Sequence, residues 1–117
     1  MTRRELREEI IFKLYLYDLI QSKQDTENLE MFNEIINNLE DIDSIIEDAL
    51  ERYSLSRLSF LDRAIMRLAT YEMAYTDTPK AIVMDEAIEL TKQYSDIDDK
   101  QRRFNNRLLQ NIKESLD

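Results

Sequence analysis

The chain has 117 residues, with 25 Asp or Glu against 16 Lys or Arg, a formal net charge of −9, Gly 0, His 0, Cys 0 and Pro 1. That length suits one domain around a single core, expected to span residues 1–117. Without glycine there is no P-loop, dinucleotide-binding turn or nucleophile elbow, and without His or Cys there is no His-based triad, ordinary zinc site or disulfide. A β-rich chain needs residues at positive φ in its turns, which glycine supplies most cheaply, so its absence predicts an all-α fold. The many carboxylates include no EF-hand loop. No enzymatic activity, cofactor or metal is therefore expected. The lack of Cys suits a reducing compartment, and no signal peptide or long apolar run is seen, so a cytoplasmic location without a membrane is expected.

Leu6, Ile10, Leu14 and Tyr17 recur at helical spacing, with Ile11, Tyr15 and Leu19 alongside, and predict a first helix over residues 4–21. "SKQDTEN" interrupts, and Asp25 or Thr26 is the expected N-cap of the second helix. Leu29, Phe32, Ile35, Ile36 and Leu39 mark that helix. "DIDSIIEDALERYSL" makes a third, with Ile42, Ile45, Ile46, Ala49, Leu50 and Tyr53 at core spacing and a break near "NNLED". Ser59 followed by Asp62 resembles a capping box and starts a fourth helix near Phe60. Leu61, Ile65, Leu68, Tyr71 or Glu72, and Tyr75 fall on one side of it. Pro79 stops that helix and suits the first turn of the next, "KAIVMDEAIELTKQY". After "SDIDD", a closing helix turns Phe104, Leu108 or Leu109, and Ile112 inward. The expected architecture is a compact helical bundle of five to six helices.

Charge is segregated along this chain. From Asp25 to Glu51 there are ten Asp or Glu and no Lys or Arg, whereas residues 95–117 carry five basic against five acidic residues. The first helix opens with Arg3, Arg4 and Arg7. At about 100° per residue, Arg3 and Arg7 continue the apolar seam of Ile10, Ile11 and Leu14, with Arg4 beside them. One reading is a helix start laced with pairs such as Arg4–Glu8. The other is a phosphate site, because cations oppose the macrodipole at a helix N-terminus unless an anion joins them. Tyr15 and Tyr17 suit base stacking or core packing equally. The residues alone leave both readings open.

A resemblance adds to this. "RRELREEIIFKLY" is similar to the start of the NusB family, through Arg3, Arg4, Arg7, Glu8, Leu14 and Tyr15. "LDRAIMRLATYEM" resembles the family's most recognisable helix at Asp62, Arg63, Ala64, Arg67, Tyr71 and Glu72. "PKAIVMDEAIELTKQY" matches the next segment through Pro79, Glu86, Ala87, Glu89, Leu90 and Lys92, and "RFNNRLL" retains Phe104, Asn106 and Leu109 of a final motif. The sequence departs from the pattern at Asp85, usually Asn, and at Arg107, usually Gly, with a short insertion before Phe104. Residues 22–52 are shorter and more acidic than the family's middle helices.

The resemblance implies an all-helical, non-catalytic transcription antitermination factor. Such proteins bind the single-stranded boxA element of nascent ribosomal RNA together with NusE, a small-subunit ribosomal protein, and with other Nus factors support RNA polymerase read-through. It also implies that Arg3, Arg4 and Arg7 meet the RNA backbone, with Tyr15 and Tyr17 against bases. Asp62 either faces the partner or caps its helix. A homodimer is a further option. The rivals are an accessory domain like those of rRNA cytosine methyltransferases, which expects a catalytic domain beyond Asp117, and an acidic protein-binding module without RNA. Because affinity scales with phosphates neutralised, so acidic a chain is expected to bind RNA weakly until a basic partner joins it.

Overall fold

The apolar spacings become six α-helices in the computed structural model, which describes residues 2–20, 30–94 and 97–117. They are α1 (Arg3–Ile20), α2 (Glu30–Asn37), α3 (Leu39–Leu50), α4 (Phe60–Tyr75), α5 (Lys80–Tyr94) and α6 (Asp99–Leu116), with a 3₁₀ turn at Leu55–Arg57. The described residues contain no strand. The expected caps at Asp25 or Thr26, Leu29 of the second helix, and Ser95 and Asp96 of the second loop lie outside the described residues.

Polar side chains punctuate the helices where glycine is missing. Between α2 and α3, Asn38 donates its side-chain amide to the Glu34 carbonyl at 2.8 Å and its own N–H to the same oxygen, which puts the break within "NNLED". Ser59 Oγ accepts the Asp62 N–H at 3.1 Å and so starts α4 at Phe60 as expected. Thr76 donates its hydroxyl to the Glu72 carbonyl at the far end, and the Pro79 carbonyl accepts the Ile82 and Val83 amides in the first turn of α5. Asp98 caps α6 through the Gln101 N–H at 2.8 Å. Glu51, after α3, takes φ 60, the one positive φ among the described non-glycine residues. That conformation costs a residue with a Cβ on the order of 1 kcal/mol relative to glycine. The reversal also corrects Tyr53, expected as a core position of the third helix: α3 has already ended and the ring is half exposed.

The fourth helix differs most from its sequence pattern. Instead of one buried side it is buried all round from Ala64 to Met73, because α1, α2, α3, α5 and α6 all pack against it. Tyr75, expected inward, is exposed at its end, as is Leu19 near the end of α1. Ile10 and Leu14 of α1, Ile42 and Ile46 of α3, and Leu109 and Ile112 of α6 meet the central helix with no exposed surface. The closing helix buries both Leu108 and Leu109.

A helix buried all round is ordinarily apolar, yet α4 carries Arg67, Thr70 and Glu72 inside, each at most 5% exposed. Arg67 donates two parallel hydrogen bonds to Asp43 of α3, both 2.9 Å, and its Nη1 lies 3.2 Å from Asp18 of α1. Arg63 Nη1 approaches the same Asp18 carboxylate at 3.3 Å. Burial by itself lowers the Arg67 pKa, but the hydrogen bonds and charges of Asp43 and Asp18 more than offset it and raise the value. Nearby, the Tyr71 hydroxyl donates to Glu34 of α2, and its ring stacks on Tyr75 at 5.5 Å. Desolvation, then the hydrogen bond and charge of Glu34, push the Tyr71 pKa up to about 12.

Replacing Arg67 by Met strips Asp43 and Asp18 of a shared cation, and the expected loss is on the order of 3 kcal/mol in urea denaturation. Asp43→Asn costs less, because Asp43 is nearer solvent and Arg67 keeps Asp18. Alkaline pH probes Tyr71. Below its ordinary value of 10.0 both folded and unfolded chains hold the phenol proton, so its contribution to stability is complete there. The folded chain keeps that proton longer, so stability falls as pH rises from 10.0 toward about 12. Ultraviolet tyrosinate titration should show a phenol at about 12, which Glu34→Gln moves back toward the ordinary value; an unmoved titration would contradict the assignment.

Candidate nucleic-acid interface

The three arginines that open α1 meet three different environments. Arg7 is 7% exposed, and its guanidinium grips Glu72 of α4 side-on, with Nε and Nη2 each 2.9 Å from a carboxylate oxygen. Its Nη1 lies 4.0 Å from Glu86 of α5. Arg7 therefore continues the core seam, as the helical wheel indicates, and an RNA phosphate would have to displace a buried carboxylate to reach it. Arg4 stands at the protein edge and donates to Glu86 at 3.0 Å and to Gln93 at 3.1 Å, both on α5. The anticipated Arg4–Glu8 pair gives way to this link, and Glu8 instead accepts the Tyr94 hydroxyl, which raises the Tyr94 pKa. Arg3 is exposed without a carboxylate partner among the described residues, beside a cleft lined by Leu6, Met31, Thr76 and Thr78.

The helix geometry separates these groups. At about 100° per residue, Arg4, Glu8, Ile11 and Tyr15 share one flank of α1, while Arg3 falls on the line of the buried seam, about 100° from Arg4. Tyr15 lines an apolar groove with Ile11, Phe12, Leu61 and Tyr94, and Phe12 and Tyr94 are 57% and 44% exposed. Tyr17 lies about 200° from Tyr15 on the wheel and packs half-buried against the core. The structure thus does not bring the two tyrosines to one face. Sequence reasoning missed Phe12 and Tyr94. Phe12 had a signal, as a large apolar residue off the seam, whereas Tyr94 reaches the groove only because α5 packs near α1.

Asp62 is the third residue of α4 and 1% exposed, with its own N–H on Ser59 Oγ. It is next in sequence to Leu61, which lines the groove. In chemical terms, the Arg4 flank joins a partly exposed guanidinium to exposed aromatic rings. That pairing suits a phosphate and the base attached to it.

These features define an all-helical binding scaffold, built on a buried ion-paired hub, whose exposed chemistry collects along the edge of its first helix. The chain matches the NusB family over residues 3–114 and belongs to that family. It is 37% identical over 131 aligned positions to the transcription antitermination protein NusB of Bacillus licheniformis, covering 100% of both chains. To the protein of the same name from Campylobacter jejuni it is 35% identical, covering 79% of this chain and 82% of that one. Among solved structures, T. maritima NusB superposes with a TM-score of 0.80 at 30% identity, over 97% of this chain and 92% of that chain. A chain from a crystal structure of the antitermination factors NusB and NusE in complex with dsRNA shares the fold at a TM-score of 0.77 and 23% identity, over 97% and 96% of the two chains.

Arg7→Ala leaves Glu72 buried without its cation, and is expected to cost on the order of 3 kcal/mol. Arg4→Ala breaks a partly exposed pair and should cost under about 1 kcal/mol. Equal denaturation midpoints for the two variants would contradict the assignment of Arg7 to the core.

Proposed function

We propose that this chain is a non-catalytic transcription antitermination factor that binds boxA-type single-stranded RNA of nascent ribosomal RNA together with NusE. With the other Nus factors it supports read-through by RNA polymerase. The observation that carries the reading is the exposed edge of α1 and α5, where Arg4 stands on the same flank as Tyr15, Phe12 and Tyr94, in a chain whose relatives are named for antitermination. Arg4 and, from the exposed start of the helix, Arg3 take phosphates, while Tyr15 stacks on a base. Tyr17, on the other side of α1, packs against the core and takes no base. Arg7 contributes by holding α1 in its orientation through Glu72 and by adding its field to the edge.

The electrostatics favour a two-protein mode. Few cations stand on this edge, Glu8 and Glu86 lie among them, and the net charge is −9. Affinity for RNA grows with the phosphates neutralised, so a basic ribosomal protein beside the groove would add contacts and cancel repulsion. Asp62, buried at the start of α4, is the acid we assign to that partner.

Titration of a boxA-type RNA should give weak binding by the chain alone and at least about tenfold tighter binding when NusE is present. Arg3→Ala/Arg4→Ala should lower the affinity of both forms while leaving the melting temperature nearly unchanged. Undiminished binding by that variant would overturn the assignment of the edge.

A further inference from the structure

The acid that holds Arg4 comes from α5 and not from its own helix. Glu8, one turn along α1, is taken by the Tyr94 hydroxyl. Glu86 instead accepts Arg4 Nε at 3.0 Å, and Gln93 accepts Arg4 Nη1 at 3.1 Å. The same Glu86 oxygen lies 4.0 Å from Arg7 Nη1. Arg7 has already given Nε and Nη2 to Glu72, so charges alternate across three helices in the order Glu72, Arg7, Glu86, Arg4. The inner pair is nearly sealed, whereas the Arg4 and Glu86 side chains are 38% and 29% exposed.

The outer pair does little for the fold. α1 and α5 each pack on α4, burying Ile10 and Leu14 of one and Val83, Ala87 and Leu90 of the other. A partly exposed pair changes an equilibrium by no more than about fivefold. What the pair does change is the state of the Arg4 guanidinium. A carboxylate and an RNA phosphate offer an arginine the same kind of charged oxygen acceptor. Glu86 therefore stands where a phosphate would stand, and a phosphate that takes Arg4 Nε must displace it. Arg7 Nη1 gives the displaced carboxylate a second cation close by.

We propose that Glu86 is an internal competitor for the RNA phosphate at Arg4 and sets the affinity of the α1 edge. In the free chain it neutralises Arg4. When a phosphate takes Arg4, the carboxylate passes to Arg7 Nη1 and remains paired. The exchange offsets part of what the new phosphate contact contributes, so the chain alone holds RNA poorly and the contacts added by a basic partner decide the outcome. Gln93 acts in the same direction through its uncharged bond to Nη1. This role rests on the reading of the α1 edge as an RNA site.

The test measures binding of a boxA-type RNA to the full chain with NusE. Glu86→Gln keeps the size and an acceptor oxygen but removes the charge. It should tighten binding about threefold to fivefold, with a nearly unchanged melting temperature. Gln93→Ala, a change at an exposed position, should tighten it by less. Both gains should vanish in an Arg4→Ala background, where no guanidinium remains to be released. Asp85→Asn removes the same charge from an exposed position of α5 and should alter the affinity by less than about twofold. If Glu86→Gln binds no more tightly than wild type while Arg3→Ala/Arg4→Ala loses binding, the competitor is overturned and the proposed function stands. A gain that persists without Arg4, or that Asp85→Asn matches, reflects net charge alone and overturns it as well. If the wild-type complex does not bind the RNA, both readings fail.

Discussion

The fold depends on meeting the charges buried on its central helix. Arg67 and Glu72 stand within α4, which five other helices surround, and neither could remain there alone. Asp43 and Asp18 answer the first, Arg7 the second. Breaking such a pair is costly because the remaining charge has no water to turn to, even where the intact pair adds little net stability. What the pairs do supply is orientation. Arg67 meets Asp43 through two parallel hydrogen bonds, as Arg7 meets Glu72, and a planar fork of this kind fixes direction where a lysine would not.

That orientation reaches the surface. Arg7 and Asp18 attach α1 to α4 at two points about three turns apart, near opposite ends of the helix. With both held inward, the rotation of α1 has no freedom left. Arg4, Phe12 and Tyr15 then face outward toward the end of α5, where Gln93 and Tyr94 complete the edge. The buried ion pairs and the candidate RNA edge are thus two consequences of one rotation. It also explains why Arg7 of the opening cluster is buried, while Arg4 stands at the edge on Glu86 and Gln93 and Arg3 is exposed.

Charge is distributed to the same effect through the rest of the molecule. The acidic α2–α3 region commits Glu34 to Tyr71 and Asp43 to Arg67, and leaves Glu40, Glu47 and Asp48 exposed. Nucleic acid is repelled from that side. Screening confines such effects to roughly a Debye length of about 8–10 Å, so an acidic chain can still present local positive faces. Salt should therefore govern the protein's associations more than its net charge suggests.

The all-α class, the succession of helices and most of their limits were legible in the residues alone. Helical spacing of Leu, Ile and Phe, Ser59, Pro79 and the missing glycines are local signals, and local signals survive in a single chain. The wheel likewise assigned Arg7 to the seam, and the motifs around Arg3, Asp62 and Glu86 pointed to the family. Packing alone established that α4 is surrounded, because burial on its second face depends on helices far away in sequence. That same fact set the partners of Arg7 and Arg67, the separation of Tyr15 from Tyr17, the exposure of Tyr53, and the meeting of Phe12 with Tyr94. Spacing along one helix states which residues share a face. Which neighbour covers that face is settled only when the whole chain has packed.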